Sequence, residues 1–226
     1  MTPPARTHRK CFAGLATDRR VLLTGLAAAL ALAPGAPALA AAPRDPGAEQ
    51  FVQVQGARLV SILADRSRGQ AQRISAFRAA VDEVADVPRI TRFVLGKYAR
   101  TITPAQMQRF APVFRDYAQD VYQRQLADFR GRTLTVTGSV VRKPGDVVVA
   151  TRIAGDDGNP PGEVSWRVLG AGAQWKVVDV EVSGVWLAIT QQQDFVSTID
   201  NHGGDVGALI TQLEKQTQGP AAARDR

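Results

Sequence analysis

Hydrophobic positions along this chain change period once, from helical to alternating, and then change back. Phe51, Val54, Leu59, Ile62 and Leu63 fall near helical spacing and predict a first helix from about Ala48 to Ala64. A turn over Arg66–Gly69 leads to a second helix, Gln70 to Val84. There Ile74, Phe77, Val81 and Val84 form one apolar stripe with a charged back, so this helix covers a core. Asp86-Val87-Pro88 opens a third helix with proline in its first turn and Ile90, Phe93, Val94, Leu95 and Tyr98 on its apolar face. Gly96 within it marks a close approach or a weak point. Thr103-Pro104-Ala105-Gln106 is a capping box, and the helix it starts is expected from Pro104 to Phe129. Met107, Phe110, Phe114, Tyr117, Val121 and Tyr122 lie near one stripe of that helix, which Pro112 should bend.

From Thr133 the period becomes two. Thr133 to Val140 alternates as a strand with one wet face, Lys143-Pro144-Gly145-Asp146 is a turn, and Val147 to Ile153 is a second strand. The turn-rich loop Gly155–Gly162 precedes a third strand, Val164 to Val168. Gly170–Ala173 then connects to a fourth, in which Val177, Val178, Val180 and Val182 put branched side chains on both faces, as in a strand covered on both sides. Ser183-Gly184 breaks it, and the apolar run Val185–Ile189 must be buried under something or cover something. Asp194 to Asp200 is expected to be helical, His202-Gly203-Gly204 stops it, and Asp205 caps a last helix through about Gln216. Helices, then strands, then helices make an α+β fold: a four-stranded antiparallel meander with a helical subdomain.

The N-terminus reads differently. Arg6, Arg9, Lys10, Arg19 and Arg20 precede an Ala- and Leu-rich stretch, Val21 to Ala33, and Ala38-Leu39-Ala40 offers an A-x-A cleavage site. This is the pattern of a secretory signal peptide over residues 1–40. A membrane span needs roughly 20 apolar residues, and Pro34 and Pro37 end this run early. Thr17-Asp18-Arg19-Arg20-Val21-Leu22-Leu23 resembles a twin-arginine export signal. The expected organisation is a signal peptide over 1–40, a mobile leader over 41–47, one domain over 48–217 and a frayed tail over 218–226. The only cysteine, Cys11, falls in the segment to be removed, so core packing alone stabilises the exported chain. Five bases and one acid in residues 1–40 account for +4 of the whole-chain +7, leaving +3, a mild excess that is no nucleic-acid footprint.

Chemistry has little to build on. The exported part keeps one histidine, His202, in a glycine turn, so nucleophile–base arrangements lack their parts. Asp156 and Asp157 lack calcium-loop spacing, and no phosphate-binding glycine loop precedes a helix. Asp179, in the middle of the valine-rich strand, needs a partner. It is either a structural carboxylate held by an arginine or backbone amides, or a pocket acid. No metal or cofactor is called for.

Three segments carry a resemblance. Trp175-Lys176-Val177-Val178-Asp179-Val180, followed by Gly184-Val185 and Leu187 and then by Phe195, resembles the signature of the periplasmic phospholipid-binding proteins of the Mla, or toluene-tolerance, family. Leu95-Gly96-Lys97-Tyr98 is similar to that family's Leu-Gly-x-Tyr helix, and Phe110 to Tyr122 matches the aromatic spacing of the helix that follows. The resemblance implies a curved sheet of the nuclear-transport-factor type, helices wrapped against it, and an apolar cavity between. It implies a periplasmic carrier, a monomer, that shuttles phospholipid between an outer-membrane lipoprotein complex and an inner-membrane ABC-transporter complex, without covalent chemistry. Trp186 stands where the relatives have a small hydroxyl residue, and Gln191-Gln192-Gln193-Asp194 where they often have Tyr-Arg. A branch with the present pattern is associated with hopanoid-producing bacteria, so a hopanoid or other polycyclic lipid is an alternative cargo.

The candidate lining is Leu95, Tyr98, Phe110, Phe114 and Tyr117 from helices, with Val136, Val148, Trp166, Val168, Val185, Trp186 and Leu187 from the sheet side. Burying an acyl chain of about fifteen methylenes contributes on the order of 12 kcal/mol gross, enough to hold a lipid without a charged clamp. Two other readings stay open: an isomerase-like enzyme using Asp179 in an apolar pocket, and a structural adaptor whose core is filled by its own side chains.

Overall fold

The structure is a computed structural model that describes residues 43–65, 67–127, 133–154, 162–172 and 174–218. The expectations on residues 1–42, on loop residues 155–161, on the helix end near Phe129 and on the tail after 218 lie outside the described residues.

Asp45 opens α1, Pro46–Ala64: its carboxylate accepts the Ala48 N–H at 2.9 Å and Pro46 sits at the first helical position. The helix therefore starts two residues before the expected Ala48. Pro43–Asp45, expected as mobile leader, is tied to the sheet: Val141 N–H donates to the Pro43 carbonyl and Asp45 N–H to Ser139 Oγ. The remaining helices are α2 (Gln70–Val84), α3 (Val87–Phe93), α4 (Pro104–Ala127), α5 (Leu187–Asn201) and α6 (Val206–Gln218), with a 3-10 turn over Gly96–Arg100. The Thr103/Gln106 capping box forms as expected, Gln106 N–H to Thr103 Oγ1 at 3.2 Å and Thr103 N–H to Gln106 Oε1 at 3.0 Å.

The strands are β1 (Leu134–Lys143), β2 (Asp146–Ile153), β3 (Gly162–Leu169), β4 (Lys176–Val182) and β5 (Val185–Trp186). They form one antiparallel sheet in the order β1-β2-β3-β4-β5. The expected four-strand meander is present, and a two-residue β5 adds a fifth strand. Ser183 and Gly184, with φ of 52° and 82°, form the tight turn that folds Val185 back onto Val182. The run Val185–Ile189 thus divides into β5 and the first turn of α5. The α5 helix starts seven residues before the expected Asp194, through the glutamines.

Two hydrophobic cores result. One lies between the sheet and α1 and α2, built on Val52, Leu59, Phe77, Val147, Val149, Trp166 and Val168. Gly56 lets α1 sit close, since a Cβ there would meet Leu134 Cδ1 at 3.0 Å. The other is all-helical: Phe110 stacks on Phe114 at 5.5 Å, and Phe195 meets both edge-on, with Leu95, Ile199, Leu209 and Ile210 around them.

Gly96 sets the joint between α3 and the helical core. Its φ is +52°, and a Cβ there would stand 2.7 Å from Val196 Cγ2. Gly96→Ala is expected to lower the unfolding free energy by about 1–3 kcal/mol, read from urea titration; an unchanged urea midpoint contradicts this account of the joint.

Candidate functional site

The two cores meet along β4. On one side, Asp86 N–H, at the start of α3, donates to the Val177 carbonyl at 2.9 Å. On the other, Ala188 N–H, in the first turn of α5, donates to Asp179 Oδ1 at 2.8 Å. Between these two attachments lies an apolar cavity. Leu59 of α1 and Phe77, Val81 and Val84 of α2 wall it on one side, Trp166 of β3 and Val177–Val180 of β4 on another. Ala85, Ile90 of α3 and Leu187 and Ala188 of α5 complete it. Asp179 is the one ionisable side chain in this wall. The Trp166 indole N–H is directed away to Thr151 Oγ1, at 3.0 Å, so it makes no polar demand on the space.

The cavity measures about 70 Å³. A single water needs roughly 10–15 Å³ of such space, so the cavity is a few waters in size. Pockets for drug-sized ligands run roughly 300–1,000 Å³. A lipid tail therefore enters only if the walls part. The polar ties across the α2–α4 side among the described residues are partly solvated. Arg78 pairs with Asp120 at 2.5 Å, Arg115 forks onto Asp82, and Gln119 Nε2 reaches Asp82 at 3.3 Å.

A wider depression of about 370 Å³ lies among α4, α5 and α6, bordered by Gln191, Asp194, Ser197, Thr198, Gln212 and Gln216. An apolar tail there would strip water from amides and hydroxyls without replacing their hydrogen bonds. The smaller apolar cavity is the candidate site.

Asp179 is held by backbone. Its Oδ1 accepts from Val180 N–H and Ala188 N–H, both at 2.8 Å. Trp186, the residue before α5, has no side chain able to cap, so the Asp179 carboxylate, seven residues before it, caps the helix instead. Burial pushes the Asp179 carboxyl above the ordinary carboxylate range, while the amides of Ala188 and Val180 and the Arg167 charge pull against that. Arg167 itself forks onto Asp146 at 3.0 and 2.9 Å, and that hydrogen bonding holds the Asp146 carboxyl below the ordinary range.

The structure scatters the expected lining residues. Trp166 and Leu187 line the cavity. Leu95, Phe110 and Phe114 are fully buried in the helical core, and Val168 in the sheet-side core. Tyr117 borders the polar depression, and Tyr98 turns its hydroxyl to Asp200, which Lys97 also pairs at 2.8 Å. Val136 is half-buried against the sheet-side core. Val148 lies on the opposite sheet face from its buried neighbours Val147 and Val149. Val185 is exposed, and Trp186 half-buried. The cavity instead takes most of its wall from α2 and β4. The stripe Phe77, Val81 and Val84 and the two-faced valines of β4 were the sequence signals for it. His202 lies in an exposed turn with Nδ1 at 2.7 Å from the Thr198 carbonyl, and no group of three or more potential metal ligands occurs among the described residues.

Comparison with known proteins gives three findings. A family model described as "MlaC protein" matches residues 54–215. The toluene tolerance protein Ttg2D of Pseudomonas putida is 26% identical over 128 residues, 56% of this chain; the match spans 59% of that relative's length. The structure of a phospholipid-binding protein from Ralstonia solanacearum, in complex with a phospholipid, superimposes with a TM-score of 0.66 at 24% identity. It covers 75% of this chain and 96% of that one, a likeness of fold.

The remote cap can be tested by titration. A carboxyl whose pKa folding raises contributes stability below its ordinary pKa and loses it as pH rises through the raised value. Asp179→Asn keeps an oxygen for both amides and removes the buried charge. Its urea midpoint is expected to equal or exceed wild type at neutral pH, with a flatter pH dependence above the ordinary carboxylate range. Asp179→Ala, which orphans two amides, is expected to cost about 1–3 kcal/mol. Equal losses in both variants contradict the cap.

Proposed function

This chain belongs to the MlaC protein family, and on that premise we propose that it binds a membrane lipid, tail first, in the cavity between α2–α3 and β4–α5. The observation that carries the reading is the cavity's place and chemistry. It lies on the seam between two separately packed cores, and its wall is apolar apart from Asp179. A space on a seam enlarges by sliding one core against the other, without opening either.

Magnitudes favour tail burial. A chain of about fifteen methylenes contributes on the order of 12 kcal/mol gross. The seam's exposed ion pairs are each worth roughly 0–1 kcal/mol, so entry of the tail outweighs the ties it breaks. The lipid we propose is a phospholipid, in keeping with the Ralstonia protein of the same fold, with its head group left at the mouth. The carrier role extends this: a periplasmic protein that takes lipid from one membrane complex and yields it to another when docking parts the seam. No helix among the described residues is long and apolar enough to cross a membrane. Asp179 we read as the cap of α5 and not as a catalytic acid, because its accepting oxygen is already committed to two amides.

The test is lipid content. Phospholipid is expected in organic extracts of protein purified from bacteria. Val81→Trp, which fills the cavity from α2, is expected to lower retained lipid by about ten-fold, equivalent to 1.4 kcal/mol, with the helical circular dichroism unchanged. Wild-type protein free of lipid that also takes none from vesicles contradicts the proposal. A polycyclic lipid in the extract keeps the cavity and replaces the cargo.

A further inference from the structure

The exposed side of α3 and of the turn after it is basic and carries an aromatic. Pro88, Arg89, Arg92 and Phe93 are exposed at steps of three and four along α3, and Lys97 and Arg100 are exposed beyond it. From Val87 to Arg115 the sequence holds six basic residues and no acid. Acids reach this surface from outside that stretch: Asp86 pairs with Arg89 and Asp200 with Lys97. Among the described residues, Arg92 and Arg100 make no ion pair.

This stripe borders the cavity. Ile90, one turn before Phe93, is part of the cavity wall, as is Ala188, next to Ile189. Phe93 and Ile189 are among the large apolar side chains left exposed in the described residues, at 37% and 38%. Gln192, one turn after Ile189 on α5, donates to the Phe93 carbonyl at 2.5 Å, so both flank the same α3–α5 junction. On β4, just before α5 begins, the acidic Glu181 pairs in register with Trp186 of β5.

We propose that this rim, Arg92 and Arg100 with Phe93 and Ile189, docks on the surface of an anionic lipid bilayer and presents the α3–α5 side of the cavity to it. The inference rests on the lipid-binding reading for its purpose, but on the charge pattern for its occupant. A bilayer surface offers diffuse negative charge to guanidiniums on long stems and an interfacial layer that accepts an aromatic ring. An acidic protein would need carboxylates set opposite fixed arginine positions.

Vesicle flotation of the full purified chain tests this, comparing phosphatidylcholine alone with phosphatidylcholine containing about one-third phosphatidylglycerol, a composition that sets up a negative surface potential. Binding is expected to the anionic vesicles only, and to disappear at about 1 M salt, where the screening length is about 3 Å. Neutralising each arginine is expected to weaken binding about five-fold. Arg92→Gln/Arg100→Gln should therefore lose most of it, and Phe93→Ser should also weaken it. Arg142→Gln/Lys143→Gln, at the tip of the β1–β2 hairpin, should bind as wild type. Equal losses from the two double variants, or equal binding to both vesicle types, overturn the proposal. Failure to bind either vesicle also overturns it and leaves the rim to an acidic protein partner. Bound lipid measured on the same preparations separates the two readings: a protein that carries lipid but ignores vesicles refutes the docking face alone, and one that docks but holds no lipid refutes the carrier.

Discussion

Two hydrogen bonds fasten the first turns of α3 and α5 to one strand of the sheet. Asp86 N–H reaches the Val177 carbonyl and Ala188 N–H reaches the Asp179 carboxylate, two residues apart on β4. The first attaches α3 and the second α5, while the Arg78–Asp120 and Arg115–Asp82 pairs tie α4 of the helical core to α2. Neither attachment fills the space between them. An apolar strand covered at two points, by helices that belong to a different core, leaves a gap lined by its own valines. The cavity follows from that geometry. Its small volume follows too, since apolar walls left to themselves close until packing stops them.

The same geometry assigns roles that residue type alone does not. Asp179 looks like an acid waiting in a greasy pocket, and its carboxyl is indeed raised by burial. Its oxygen is spent on the first turn of α5, which has no cap of its own. The raised pKa is the cost of placing that cap inside the wall. Arg167, one strand away, is spent on Asp146. The wall is left apolar because its polar groups are satisfied by the scaffold, and such a wall suits a hydrocarbon tail.

Local signals in the sequence were strong where the chain answers to its neighbours in sequence. The Thr103 capping box, the α2 stripe and the alternation from Thr133 onward gave helices and strands close to those observed. They were weak where a remote group decides. Gln191-Gln192-Gln193 is polar without apolar spacing, yet it is helical because Asp179 caps α5 from β4 and Phe195 anchors it in the helical core. β5 is two residues long, too short to show a period. The site was legible in part for a related reason. A stripe such as Phe110, Phe114 and Tyr117 shows that a helix buries one face but not against which layer, and here that layer is other helices. Trp166 and Leu187 do reach the cavity, because β3 and the start of α5 border the seam directly.

The central claim is that lipid lies on this seam and that the two cores move apart as bodies to admit it. A crystal structure of the lipid-loaded protein tests that directly. Acyl density between α2–α3 and β4–α5, with the Phe110–Phe114–Phe195 cluster and the β1–β4 sheet each unchanged internally, is the result this account predicts. Acyl density inside the helical core or in the polar depression beside Tyr117 would contradict it.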